Sequence, residues 1–227
     1  QTVPPEKNPL PPPPVNILAN AVSSREIIVR WQPPSHKYNV QFYFVEYYRI
    51  NNPSNVISIR SDTVEIVLTD LEPFTLYSIR VRSHTAQDHG IYSDPLEVKT
   101  LEDVPSAPQK LYIVRKEKDR VTLQWDPPSE QNGIITRYII LYNHQKDVPE
   151  KLWQSLEQNG TVTEATITGI SDTNYYFKVG ACTKQGQGHF SPTIEIKPLL
   201  CTISCGQEGT NVAPQEKGTS FLKDQRL

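Results

Sequence analysis

The side chains that could carry chemistry are few, and their spacing does not assemble a catalytic or metal centre. There is no His-x3-His pair, no zinc-type spacing of cysteine and histidine, and no Gly-x-Ser-x-Gly elbow around the five scattered histidines, His36, His84, His89, His144 and His189. His89 and His189 fall in two matching hairpins, where an exposed imidazole is usually only solvated. We therefore predict that the chain is not an enzyme and holds no metal or cofactor.

A short glycine motif, Gly186-Gln187-Gly188, is the one segment that could suggest a phosphate loop. It falls between two predicted strands rather than before a helix, so the helix dipole and free amides that bind phosphate would be missing. We interpret it as a hairpin turn and expect no small-molecule substrate.

The cysteines do not define a disulfide framework. Cys182, Cys201 and Cys205 all lie in the last quarter of the chain, and the redox compartment is therefore open. A Cys201–Cys205 bridge and two free thiols in a loose tail both fit this spacing.

One sequon, Asn159-Gly160-Thr161, offers a modification site. The other Asn-x-Ser triplet, Asn52-Pro53-Ser54, is blocked by its proline. Since Asn159 falls in a predicted exposed turn, a glycan there would not disturb a core, and we predict glycosylation at Asn159.

Charge and hydrophobicity exclude two classes of partner. The formal net charge is −2 with no basic block, so nucleic-acid binding is not expected. No stretch reaches the roughly 18 apolar residues of a membrane helix, and the chain begins at Gln1 without a secretory apolar region. We expect a mature product or a fragment, attached to a membrane only through a parent chain.

A repeat sets the architecture that positions these side chains. Trp31-Gln32-Pro33-Pro34 recurs 94 positions later as Trp125-Asp126-Pro127-Pro128, each followed by runs that alternate apolar and polar residues. Such short alternating runs separated by turn signals predict antiparallel β-sandwiches. The predicted organisation is a Pro-rich linker at 1–12, domains at 13–100 and 105–198, and a disordered tail at 199–227. The four-residue connection should limit relative motion, leaving the domains end to end.

Four linked motifs in each copy resemble the fibronectin type III domain. In the first copy they are Trp-x-Pro-Pro, Tyr43-x-Val45-x-Tyr47, Leu71-x-Pro73-x-Thr75-x-Tyr77 and Gly90-x-x-Ser93. The resemblance implies an all-β chain of two tandem seven-stranded, immunoglobulin-like sandwiches, with Trp31 and Trp125 in the cores.

The same resemblance implies a tyrosine corner in each domain, in which a phenol bonds back to the main chain. Tyr77 matches this position directly. The second copy is one residue shorter and lacks the proline; strict spacing would choose Tyr176, but alternation with Phe177, Val179 and Ala181 favours Tyr175.

Apolar residues on the outward face are the strongest surface signal. If Tyr43, Val45 and Tyr47 point inward, their neighbours point outward, and aromatic residues are typical interface anchors. An alternative is that the stems of Arg80, Arg82 and Lys178 cover this face. The predicted partner-binding residues are Phe42, Phe44, Tyr48, Ile139, Leu141, Trp153 and Tyr176.

The function that these features favour is a non-catalytic binding and spacer segment of a cell-surface receptor or adhesion protein, exposed outside the cell. Its partner would be a protein ligand or a sibling receptor. Two alternatives stay open: a structural module of an intracellular filament-associated protein, and the non-catalytic part of a receptor phosphatase or kinase.

Overall fold

The computed structural model describes residues 10–199, and every strand there belongs to an antiparallel sheet. The first repeat contributes seven strands, β1 (Val15–Ala21), β2 (Ile27–Gln32), β3 (Val40–Arg49), β4 (Asn52–Ser61), β5 (Glu65–Leu68), β6 (Leu76–Thr85) and β7 (Leu96–Lys99). Three of them form the sheet β1-β2-β5, and four form the sheet β4-β3-β6-β7. This is the predicted seven-stranded sandwich.

The second repeat contributes the remaining strands, β8 (Gln109–Lys116), β9 (Arg120–Asp126), β10 (Arg137–Asn143), β11 (Gln154–Asn159), β12 (Glu164–Thr168), β13 (Tyr175–Thr183), β14 (Gly186–Phe190) and β15 (Ile194–Ile196). One sheet has the order β12-β9-β8; in the other, β11-β10-β13, both β14 and β15 pair with β13. A 3-10 turn at Glu150–Leu152 is the only helical segment among residues 10–199, so none of these residues forms a helix that could cross a membrane.

The last strand of the second repeat is interrupted, which gives eight strands where seven were expected. Pro192 has no N–H to donate to the ladder, and the break falls at this residue. Beside it, the Ser191 hydroxyl accepts the Val179 N–H at 3.0 Å. In the first repeat, Ser93 accepts the Val81 N–H at the same distance, 3.0 Å. The serine of the Gly-x-x-Ser motif therefore replaces a ladder bond where the strand breaks.

The glycine of that motif is required by a close approach of the backbone. A Cβ at Gly188 would lie 1.9 Å from the Pro105 carbonyl oxygen, and one at Gly90 would lie 2.9 Å from that of Ser83 and 3.1 Å from that of Pro11. The segment that enters each repeat thus packs directly on its final hairpin.

Each core lies between its two sheets and is filled by the residues that alternate inward. Those of the first repeat include Ile27, Val29 and Trp31 of β2 and Val45 of β3, and those of the second include Val121, Leu123 and Trp125 of β9 and Tyr138 of β10. A tryptophan and a tyrosine meet edge to face in each, with ring centroids 5.3 Å apart for both Trp31–Tyr43 and Trp125–Tyr138. Period-two alternation therefore places the side chains of both cores.

The connection between the repeats is hydrogen-bonded to both of them through Asp103. Its N–H donates to the Asn132 carbonyl at 2.8 Å, and its own carbonyl accepts the Thr183 hydroxyl at 2.8 Å. Its carboxylate accepts the Ser24 hydroxyl at 3.0 Å. The connection is thus bonded on both sides, and its limited movement stays a prediction.

Candidate protein-binding surface

The outward residues of β3 lie where alternation predicts, but they are half-buried rather than open. Tyr43, Val45 and Tyr47 are buried in the core, and Phe42, Phe44 and Tyr48 project from the opposite side. In register, Phe44 lies between Arg60 of β4 and Arg82 of β6, whereas Tyr48 lies opposite Ser78 near the other end of the strand. Phe42 and Phe44 are therefore brought together, and Tyr48 stands apart from them.

Arginine side chains cover the two phenylalanines. The Arg60 guanidinium carbon lies 3.9 Å from the centre of the Phe42 ring, and that of Arg82 lies 5.5 Å from the Phe44 ring and 4.6 Å from the Tyr92 ring. These are cation–π distances. We call this surface the arginine–aromatic face, made up of Phe42, Phe44, Arg60, Arg80, Arg82 and Tyr92.

Two of its three arginines are neutralised by carboxylates, and the third is not. Arg80 binds Glu46 at 2.7 Å, and Arg60 binds Asp62 at 2.8 Å. Within residues 10–199, no carboxylate lies within ion-pair distance of Arg82, and its buried Nε has no hydrogen-bond partner. Arg82 is therefore the one arginine of this face without a direct ion pair among residues 10–199, and it lies between two aromatic rings.

The carboxylate of Glu46 interacts with three residues of this face, Tyr92, Arg80 and Arg82. Burial raises the pKa of its carboxyl, but hydrogen bonds from Tyr92 and Arg80 and the charges of Arg80 and Arg82 outweigh burial, so the pKa falls below its usual value. Burial and the same hydrogen bond raise the pKa of Tyr92 to about 12. Glu46 is therefore ionised and Tyr92 neutral at pH 7.

Two histidines meet at the end of the arginine–aromatic face. The Nδ1 atoms of His84 and His89 lie 2.8 Å apart, and the His84 ring stacks on Phe42 with centroids 4.2 Å apart. Burial, with the nearby His89, Arg82 and Arg60, lowers the pKa of His84.

The corresponding face of the second repeat is closed by its own contacts. Lys178 is buried, ion-pairs with Glu150, and places its Nζ 4.9 Å from the centre of the Trp153 ring. The Trp153 indole N–H donates to the Val148 carbonyl at 3.1 Å. Leu141, opposite Lys178 in register, is only 9% exposed and so offers little surface to a partner. Alternation predicted its side of the sheet but not the lysine that lies opposite it.

Ile139 and Tyr176 of the second repeat are half-buried. The Tyr176 hydroxyl donates to Glu195 at 3.3 Å, across the adjacent strand β15. These two residues remain accessible in part, but the tyrosine is already bonded within the chain.

The tyrosine corner forms in the first repeat as the motif implied. The Tyr77 hydroxyl accepts the Glu72 N–H at 2.9 Å, and the side chain is only 4% exposed. In the second repeat, Tyr175 is the tyrosine that packs against the core, and Tyr176 points outward. Within residues 10–199, however, the Tyr175 hydroxyl has no hydrogen-bond partner. In the second repeat, with its shortened turn, the Tyr175 ring therefore still packs inward, but the hydrogen bond of the tyrosine corner is absent among residues 10–199.

Asn159 lies at the exposed end of β11, where its side chain forms a tight turn with the sequon threonine. Its Oδ1 accepts the Thr161 N–H at 3.0 Å and the Thr161 hydroxyl at 2.8 Å. The side chain is therefore accessible in the predicted turn. Cys201 and Cys205 lie outside the described residues, and Cys182 is buried, which raises the pKa of its thiol.

Sequence reasoning missed Arg60 and Tyr92 as members of the face, as well as the His84–His89 pair. The registers of β4 and β6 against β3 could have identified Arg60, but Tyr92 and His89 lie in irregular segments that no periodicity locates. Between residues 10 and 199, no group of three or more His, Cys, Asp or Glu side chains is placed to hold a metal ion.

The family model for the fibronectin type III domain matches residues 11–99 and 106–197. The chain belongs to this family. The fibronectin type III repeats are also similar to longer proteins. Protein sidekick-1 of Gallus gallus is 30% identical, and the match covers 93% of this chain and 10% of that protein. Cell adhesion molecule Dscam2 of Drosophila melanogaster is 33% identical, and the match covers 79% of this chain and 9% of that protein. Tyrosine-protein phosphatase Lar-like of Caenorhabditis elegans is 30% identical, and the match covers 82% of this chain and 9% of that protein. The chain thus spans about a tenth of these curated relatives.

Proposed function

We propose that these two repeats are a non-catalytic protein-binding and spacer segment of a cell-surface receptor or adhesion ectodomain. The fibronectin type III match and relatives such as Cell adhesion molecule Dscam2 support this role. The proposed partner is a protein ligand or a sibling receptor that docks on the arginine–aromatic face of the first repeat. The second repeat acts mainly as a spacer, and its predicted surface residues Ile139, Trp153 and Tyr176 have only a minor part in binding.

The observation that carries the proposal is the guanidinium of Arg82, which has no direct ion pair among residues 10–199. Arginine and aromatic residues are enriched at protein interfaces and dominate their binding energy. Arg82 lies between Phe44 and Tyr92 and has no direct ion pair among residues 10–199, so a partner's acidic side chain could pair with its guanidinium.

The direct test measures binding of a fluorescent tetramer of the segment to cells that carry its partner. We expect Arg82→Gln to weaken binding tenfold or more, because the partner's carboxylate would then be left without a cation. Arg30→Gln is the matched control, since Arg30 is exposed on the other sheet of the same repeat and pairs with Glu65. Equal binding by the parent and Arg82→Gln would refute docking at this face.

The extracellular location has a separate test at Asn159. We expect the segment recovered from its natural source to carry an N-glycan there, visible as a mass increment that a glycosidase removes. An unmodified Asn159 would favour the intracellular structural module over the ectodomain.

A further inference from the structure

The His84–His89 pair is held by the backbone of the last hairpin in the first repeat. The two residues form a β-bridge, the Thr85 N–H donates to the Asp88 carbonyl at 3.0 Å, and the Gly90 N–H donates to the Ser83 carbonyl at 2.8 Å. These bonds lie on both sides of the pair. Because directly paired residues place their side chains together, the two imidazoles converge without a long flexible connection.

We propose that His84 and His89 form a two-imidazole site for a divalent transition-metal ion, with Cu(II) preferred and Ni(II) next. Their Nδ1 atoms are 2.8 Å apart. For metal–nitrogen bonds of about 2.0–2.1 Å, that separation corresponds to an N–metal–N angle of about 84–89°. Square-planar and tetragonal Cu(II) and Ni(II) need two neighbouring ligands near a right angle, whereas a tetrahedral Zn(II) site would need the nitrogens farther apart.

The surroundings suit an open site of two protein ligands completed by water. Stacking on Phe42, at 4.2 Å between centroids, orients the His84 ring, and the exposed ring of His89 leaves a path for the ion. Binding uses both Nδ1 lone pairs, so the proton that lies between them in the free pair moves to an Nε2 atom. The positive charges of Arg60 and Arg82 oppose a cation, so the affinity will be lower than that of a structural metal site.

The chain supplies its own control. In the final hairpin of the second repeat, the positions that match His84 and His89 are Cys182 and Gln187, which are register partners, so that hairpin has no imidazole pair. His189 lies in the same hairpin and is exposed, with no second histidine opposite it in the strand register.

The experiment titrates Cu(II) into the intact two-repeat chain in a non-coordinating buffer, by calorimetry and by electron paramagnetic resonance. We expect one ion per chain with two nitrogen ligands. Removing either ligand, as in His84→Ala or His89→Ala, should weaken the affinity at least tenfold, and His189→Ala should leave it unchanged. Circular dichroism checks that each variant is folded, and His89→Ala, at the exposed position, keeps the test valid if His84→Ala unfolds.

Two results would overturn the site. One is Cu(II) affinity in the double variant His84→Ala/His89→Ala equal to that of the parent, which would place the ion on other groups of the chain. The other is a parent spectrum without two nitrogen ligands.

Discussion

Removing the Tyr77 hydroxyl tests the corner assignment at the level of a single atom. In Tyr77→Phe the Glu72 N–H loses its acceptor at 2.9 Å, while the ring and its packing against Tyr47 remain. A lost hydrogen bond of this kind costs about 1 kcal/mol, and more where the orphaned group is buried. Because this N–H is only partly buried, we expect a loss of about 1–2 kcal/mol.

Tyr175→Phe is the matched control in the second repeat. The Tyr175 ring also packs on a core, but within residues 10–199 its hydroxyl has no bonding partner. The corresponding loss should stay within about 0.5 kcal/mol. The two substitutions remove the same atom, so their difference isolates the hydrogen bond.

Differential scanning calorimetry of the intact chain measures both effects. For a domain of this size, a loss of 1 kcal/mol lowers the melting temperature by about 4–8 °C. We expect Tyr77→Phe to lower the transition of the first repeat by at least this amount and Tyr175→Phe to shift that of the second only slightly. Equal shifts, or an unchanged transition for Tyr77→Phe, would refute the reasoning.

Three further predictions concern the cores, the hairpin and the acid limit of stability. Trp125→Ala should cost about 3–5 kcal/mol in urea unfolding, as should Trp31→Ala, because each indole fills its core. Gly188→Ala should destabilise the second repeat by about 3 kcal/mol or more in the same assay, since the new Cβ would lie 1.9 Å from the Pro105 carbonyl oxygen. The lowered pKa of Glu46 means that its stabilisation is present above the unfolded-state pKa and is lost as pH falls through the folded-state pKa. Urea midpoints measured below about pH 5 should therefore fall less steeply for Glu46→Gln than for the parent; parallel profiles would contradict this.

The fold could be predicted from the sequence because alternation is a local signal and the repeat shows the same pattern twice. Tyr43, Val45 and Tyr47 fix which side of β3 is inside, and the motif that ends at Tyr77 fixes the corner. The last strand is interrupted at Pro192, beside a serine whose hydroxyl accepts a ladder N–H, and the Gly-x-x-Ser motif alone did not reveal this break.

The surface could be predicted only in part, because alternation predicts on which side of the sheet a side chain lies but not which other side chains pack over it. It placed Phe42 and Phe44 outward, but the packing of Arg60 and Arg82 depends on cross-strand register. Leu141 likewise is buried opposite Lys178 of β13, a pairing that only the strand register reveals. The His84–His89 pair requires the hairpin geometry itself.

The measurement that tests docking at the arginine–aromatic face most directly is hydroxyl-radical footprinting of the segment with and without its bound partner. Phe44 and Tyr92 should be oxidised less in the complex, whereas Tyr112, which is 46% exposed on β8 of the second repeat, should react equally in both states. Unchanged oxidation of Phe44 and Tyr92 in a saturated complex would contradict the proposed function.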